Sequence, residues 1–170
     1  RDKRTINTYG DAIKNVHTVI PELLKLANSY NIRFTFCTVG FLFNKTKQEL
    51  LASIPKEFPS YIDKNLSPYE YYINNIGEDE KADPYHFGAS LINSIKSSRV
   101  HEIGTHTYCH YFALEPGQTK SQFANDINTA YRIAANNGVI LKSIVFPRNQ
   151  INFDYLSVLS EHGITSFRGT

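Results

Sequence analysis

A chain of 170 residues is one domain's worth of polypeptide and is long enough to bury a real core. Apolar residues at 41% and charged residues at 20% give the balance of an ordinary globular protein, which excludes a disordered or membrane-embedded chain. The 18 basic and 16 acidic side chains are scattered, leaving a net charge of +2 with no basis for nucleic-acid or membrane-surface binding.

In chain order, residues 1–4 form a charged lead-in. Over residues 10–30 the apolar positions Ile13, Val16, Ile20, Leu23, Leu24 and Ala27 recur at helical spacing. Pro21 is expected to kink this helix or divide it, and Asn31 to close it in a left-handed conformation. Residues 32–39, rich in β-branched and aromatic side chains, read as a strand ending at Gly40. Thr46 with Glu49 resembles a capping box, opening a short helix that stops at Pro55. Residues 63–81 are loop-rich and carry Tyr69, Tyr71 and Tyr72, which can pack or stack on a sugar ring. A helix is expected from Asp83-Pro84 to residue 97, with Phe87, Leu91, Ile92 and Ile95 inward.

Residues 99–104 are the second expected strand. Residues 119–137 form an amphipathic helix through Phe123, Ile127, Ala130, Tyr131 and Ala134, ended by Asn137-Gly138. A third strand covers 143–146, a helix 153–162 is closed by Gly163, and a fourth strand covers 164–167. Alternating strands and helices predict an α/β fold, a parallel sheet with covering helices. In such folds functional residues gather at the C-terminal ends of strands. His106 and His110 follow the second strand there, and Arg148 follows the third.

The densest chemistry lies in Val100-His101-Glu102-Ile103-Gly104-Thr105-His106-Thr107-Tyr108-Cys109-His110, which holds three of the chain's six histidines. His106 and His110 are four apart, so on a helical turn or helix-like loop both rings face one way, at a spacing that a divalent metal such as zinc can bridge. The zincin protease signature needs its second histidine four residues after His101, where Thr105 stands, so that reading fails. His17, His86 and His162 read as surface histidines. Cys37 and Cys109 read as reduced thiols in or beside strands, and the lack of a disulfide framework points to the cytoplasm. The chain contains no Met and is read as an excerpt or processed product, which keeps a secreted or cell-surface setting open.

The string from Arg99 to His110 resembles the second motif of polysaccharide deacetylases, the NodB-like domain of carbohydrate esterase family 4, written Gly-His-Glu-Ile-Gly-Asn-His-Thr-x-x-His. Arg33-Phe34-Thr35-Phe36-Cys37-Thr38-Val39-Gly40 is similar to the family's Ala-Thr-Phe-Phe-x-x-Gly strand. Ile144-Val145-Phe146-Pro147-Arg148-Asn149-Gln150 looks like a variant of its third motif, although its Phe-Pro-Arg order departs from the usual Arg-x-Pro.

The resemblance implies a (β/α) barrel-like parallel sheet with outer helices, a distorted seven-stranded barrel in the family. Residues 1–170 would be one partial catalytic domain, without its first strand and its C-terminal βα units. It implies metal ligation by His106 and His110 with Thr107 buttressing the loop. Arg148 would orient an aspartate base, and His101 and Glu102 would orient the loop from behind. The family's third ligand and base come from a Thr-Phe-Asp-Asp motif on the first strand, which neither Asp2 nor Asp11 matches. The implied activity is metal-dependent removal of N-acetyl, or O-acetyl, groups from an acetylated carbohydrate such as a bacterial surface glycan, with zinc the expected metal. The fragment alone would be inactive. The alternative is a non-catalytic metal- or carbohydrate-binding relative without the aspartate base. Four strands are fewer than a barrel needs, so exposed sheet edges make an oligomer an expectation as well.

Overall fold

The computed structural model describes residues 5–70 and 72–168. The expectations for residues 1–4 and for Tyr71 lie outside them.

The chain begins with two helices, α1 (Ile6–Lys14) and α2 (Val16–Ser29), where the apolar periodicity suggested one. The division falls at Asn15 and not at Pro21. Hydrogen bonding passes through it: the Asn15 N–H reaches the Asp11 carbonyl at 2.9 Å, and its own carbonyl accepts from Thr18 and Val19 at 3.0 and 2.8 Å. Pro21 rides inside α2, where its missing N–H costs one ladder bond, the one that would have reached His17. Asn31 closes α2 at φ 53°, with Ile32 N–H bonded to the Ala27 carbonyl at 2.8 Å and Asn31 N–H to Asn28 at 3.3 Å. That pair of bonds is the Schellman arrangement. Gly138 and Gly163, both at φ 68°, end two later helices in the same way.

Four short parallel strands follow in the order β1 (Thr35–Thr38), β2 (Glu102–Thr105), β3 (Ser143–Ile144) and β4 (Ser166–Phe167). The expected α/β class and parallel sheet are what the molecule has. Each strand is shorter than its apolar run. Arg99, for instance, is left-handed at φ 57° and caps the preceding helix, so β2 starts three residues later than expected. Spatial order equals chain order, the sequential parallel arrangement that a βα barrel uses.

The β1–β2 crossover carries α3 (Lys47–Ser53) and α4 (Ala89–Ser98), the next α5 (Lys120–Asn136), and the last α6 (Leu156–Glu161). Thr46 caps α3, its Oγ1 accepting the Glu49 N–H at 3.1 Å, while the Glu49 carboxylate takes the Lys45 N–H at 2.7 Å. The α4 helix starts at Ala89 and not at Asp83-Pro84. Asp83 is spent in the preceding turn, where it accepts from Gly77 N–H at 2.8 Å, Tyr85 N–H at 3.2 Å and His86 Nδ1 at 2.8 Å. Thr119 and Gln122 form a reciprocal capping box on α5.

The helix-facing side of the sheet makes the main core, in which Ile103 and Ile144 meet Ile92, Phe123, Ile127, Ala134 and Leu159. Ile133 fills the α5 position for which Tyr131 was expected; Tyr131 is half-buried. Tyr69 packs edge-on to Phe41 and tilted against Phe58, with ring centroids 5.8 and 4.8 Å apart. The opposite side of the sheet carries small and polar residues. Gly104 there has no room for a side chain, since a Cβ would lie 2.5 Å from Ser143 Oγ and 2.8 Å from Cys37 Sγ. Among the described residues no helix is long and apolar enough to cross a membrane.

Candidate metal centre

His106 is the first residue beyond β2, and three contacts fix it. Its N–H donates to the Thr38 carbonyl of β1 at 2.8 Å, and the neighbouring Thr105 carbonyl accepts from Val145 N–H at 3.0 Å. Its Nδ1 lies 2.6 Å from the Val145 carbonyl. A carbonyl only accepts, so Nδ1 carries the proton and Nε2 keeps its lone pair. Burial holds the His106 imidazole below the ordinary histidine pKa, with the Val145 bond pulling the other way. The ring is therefore neutral at pH 7, the form that binds metal.

The second histidine is brought round by a loop, not by a helical turn. Thr107 and His110 are both left-handed, at φ 64° and 63°, and the His106 and His110 rings meet with centroids 4.8 Å apart at 64°. A left-handed non-glycine residue costs roughly 1–2 kcal/mol and persists only where its surroundings hold it. Here they do. Thr107 is fully buried and its Oγ1 accepts the Tyr111 N–H at 2.6 Å. Its carbonyl takes Gly40 N–H at 2.9 Å, the Tyr108 carbonyl takes Phe41 N–H at 3.1 Å, and the Tyr108 hydroxyl bonds Ser53.

Arg148 lies in the turn Pro147–Asn149 after β3, left-handed at φ 54°. Its guanidinium stands 4.5 Å over the Phe112 ring and 3.6 Å from the Glu115 carboxylate. Phe112 is in turn edge-on to His110 at 5.1 Å, so Arg148 shares the rim one ring away from the histidines. His101 and Glu102 are not brought to the pair. His101 immediately precedes β2 and Glu102 opens it, and five and four residues of extended chain at about 3.3 Å each put them roughly 16 and 13 Å from His106. Glu102 ties three strands together, accepting from Thr35 Oγ1 at 2.7 Å and Ser143 Oγ at 2.8 Å. His101 Nδ1 accepts the Phe34 N–H at 3.2 Å, and its ring packs on Phe34 and Phe36.

His17, His86 and His162 are half-buried and bonded to Pro84, Asp83 and Val158 respectively. Among the described residues neither Cys37 nor Cys109 is in a disulfide. Asp126 on α5 was missed by the sequence reading. It is 1% exposed, and its carboxylate accepts Tyr108 N–H at 2.7 Å and Cys109 N–H at 3.1 Å. Burial pushes its pKa up to about 6 against the pull of these bonds. The signal was present: Asp126 stands three after Phe123 and four before Ala130, inside an apolar helix face where a carboxylate needs partners.

On its other side His110 borders a cavity of about 320 Å³ walled by Ile13, Phe41, Ile73 and Tyr85 among others. Among the described residues, no group of three His, Cys, Asp or Glu side chains gathers to hold an ion. The donor set is the imidazole pair, which fits two positions of a zinc-like site.

A sequential parallel sheet with a paired-histidine loop on its C-terminal rim defines a βα-barrel-type protein with a candidate metal site. A family model for polysaccharide deacetylases matches residues 1–167, and the chain belongs to that family. Its fold is similar to IcaB from Ammonifex degensii (TM-score 0.53, 13% identity, 88% of this chain and 53% of that one). It is also similar to the BpsB deacetylase domain from Bordetella bronchiseptica (0.52, 14%, 90% and 58%). A CE4 family pseudoenzyme from Bacillus anthracis matches as well (0.52, 12%, 87% and 37%). The chain thus spans 37–58% of the length of these structures, and the likeness to them is one of fold. No curated protein matches the chain.

Proposed function

We propose that this chain supplies the histidine half of the metal site in a deacetylase that removes N-acetyl groups from the sugars of a poly- or oligosaccharide. The observation that carries the reading is the fixed pair His106 and His110, with the His106 Nδ1 proton committed to Val145 and Nε2 left to ligate. His106 and His110 would hold a divalent ion, zinc suiting a nitrogen-rich donor set. Such an ion supplies Lewis acidity, activating water near neutral pH and polarising an acetamide carbonyl. Thr107 holds the loop that presents both rings. Arg148, one ring away, would anchor an acidic side chain by a charge-assisted bond. The third ligand and the base would come from residues outside those described, in keeping with a chain that covers part of a barrel.

Similarity of fold to a pseudoenzyme supports a second reading, a relative that keeps the histidine pair and binds glycan without hydrolysing it. Acetate release from an N-acetylated polysaccharide by the full protein, with zinc present, separates the two. The deacetylase reading expects acetate and free sugar amines in equal amounts, abolished by His106→Ala. Glycan binding without any acetate would leave the second reading standing.

A further inference from the structure

We propose that Asp126 is a positioning residue for the histidine pair, acting through the backbone of the loop and touching neither ion nor substrate. The proposal rests on the reading of His106 and His110 as metal ligands.

The two histidines are joined by Thr107, Tyr108 and Cys109, and the segment turns left-handed at Thr107 and again at His110. Tyr108 and Cys109 lie between those two turns and are buried, at 0% and 2% exposure. Their N–H groups point away from any strand or helix ladder, and a buried N–H without an acceptor is costly. Asp126 accepts both, one on each carboxylate oxygen. The carboxylate is suited to this because it accepts at both oxygens and donates at neither. Asparagine has the same size but would set an NH₂ group against one of the two N–H donors.

The reference point for this grip is rigid. Asp126 has a single methylene between backbone and carboxylate, and it stands mid-way along α5, which is capped at Thr119 by a reciprocal box and at Gly138 by a Schellman turn. The distance between the His106 and His110 rings is thus set on one side by the sheet, through Thr38 and Val145, and on the other by α5, through Asp126.

The test is a zinc titration of the full chain and of Asp126→Asn, Asp126→Glu and Thr129→Ala. Amide hydrogen exchange at Tyr108 and Cys109 is followed in the metal-free proteins. Thr129 is buried on the same helix but bonds only back to Asn125, so its replacement perturbs α5 without touching the loop. Asp126→Asn is expected to keep the stoichiometry, to lose protection at Tyr108 or Cys109, and to bind zinc roughly 10–100-fold more weakly. Asp126→Glu, which keeps both acceptors but displaces them by a methylene, is expected to fall between; it carries the test alone if the asparagine variant does not fold. Thr129→Ala is expected to bind as the wild type does, even with a lowered melting temperature. Wild-type zinc affinity in Asp126→Asn, or in Asp126→Glu where only that variant folds, would overturn this role and leave the ligand reading intact. A wild-type protein that takes up no zinc would overturn the ligand reading itself, and the role of Asp126 with it.

Discussion

Alanine at His106 or His110 is expected to weaken zinc binding by well over 100-fold and to abolish acetate release. Val145 fixes the proton of His106 on Nδ1, so the ring presents a neutral Nε2 with no rearrangement. Changes behind a ligand typically cost about 10–100-fold in metal affinity, and removing a ligand must cost more. A trivial cause, unfolding, is excluded by the same geometry. Both rings are half-buried at the rim, and His106→Ala gives up one side-chain hydrogen bond worth about 1 kcal/mol. The melting temperature should move by only a few degrees. Calorimetric zinc titration beside a melting curve checks both halves of this expectation. A variant that stays folded and keeps its zinc would exclude the pair.

Gly40→Ala is expected to be the most damaging small substitution near the site. A Cβ on Gly40 would lie 2.5 Å from Tyr108 Cδ2 and 2.9 Å from Tyr108 Cα. The second contact is with backbone, which cannot swing aside as a flexible side chain can. Tyr108 is held by its hydroxyl at Ser53, by its carbonyl at Phe41 and by its N–H at Asp126. The methyl must therefore push the whole histidine loop, and overpacking of this kind costs about 1–3 kcal/mol or more. Gly88→Ala is the control. Its Cβ would meet Leu42 atoms at 3.5–4.0 Å, ordinary contact distance. That change should cost less than about 1 kcal/mol. Urea denaturation of the two variants should show a large shift for Gly40→Ala and a small one for Gly88→Ala, with zinc affinity lost only in the former.

The sequence carried the element order, the parallel sheet and the histidine pair, because each rests on local chemistry. Apolar periodicity marks α5 and the strands, and Asn31, Gly138 and Gly163 mark helix ends by their tolerance of left-handed backbone. The motif resemblance and the fold similarity then agree on the family. What was not legible depends on partners distant in sequence. Asp83-Pro84 has the pattern of a helix start, but its carboxylate is claimed by Gly77, Tyr85 and His86. Pro21 is the obvious helix breaker, yet the break comes at Asn15. His101 and Glu102 sit within five residues of His106 in sequence, but an extended strand carries them to the far end of the sheet, where Glu102 joins Thr35 and Ser143. Nearness along a strand is not nearness in space. Asp126 was the opposite case, 16 residues beyond His110 and yet bonded to the loop's middle.

The most direct test of the central claim is anomalous diffraction at the zinc edge from zinc-loaded crystals of the full protein. A zinc peak is expected about 2.0–2.1 Å from Nε2 of His106, with His110 as its second imidazole ligand. The Nδ1 bond of His106 to Val145 should be intact. A zinc ion bound elsewhere, or one that takes Nδ1 of His106 and breaks the Val145 bond, would contradict it.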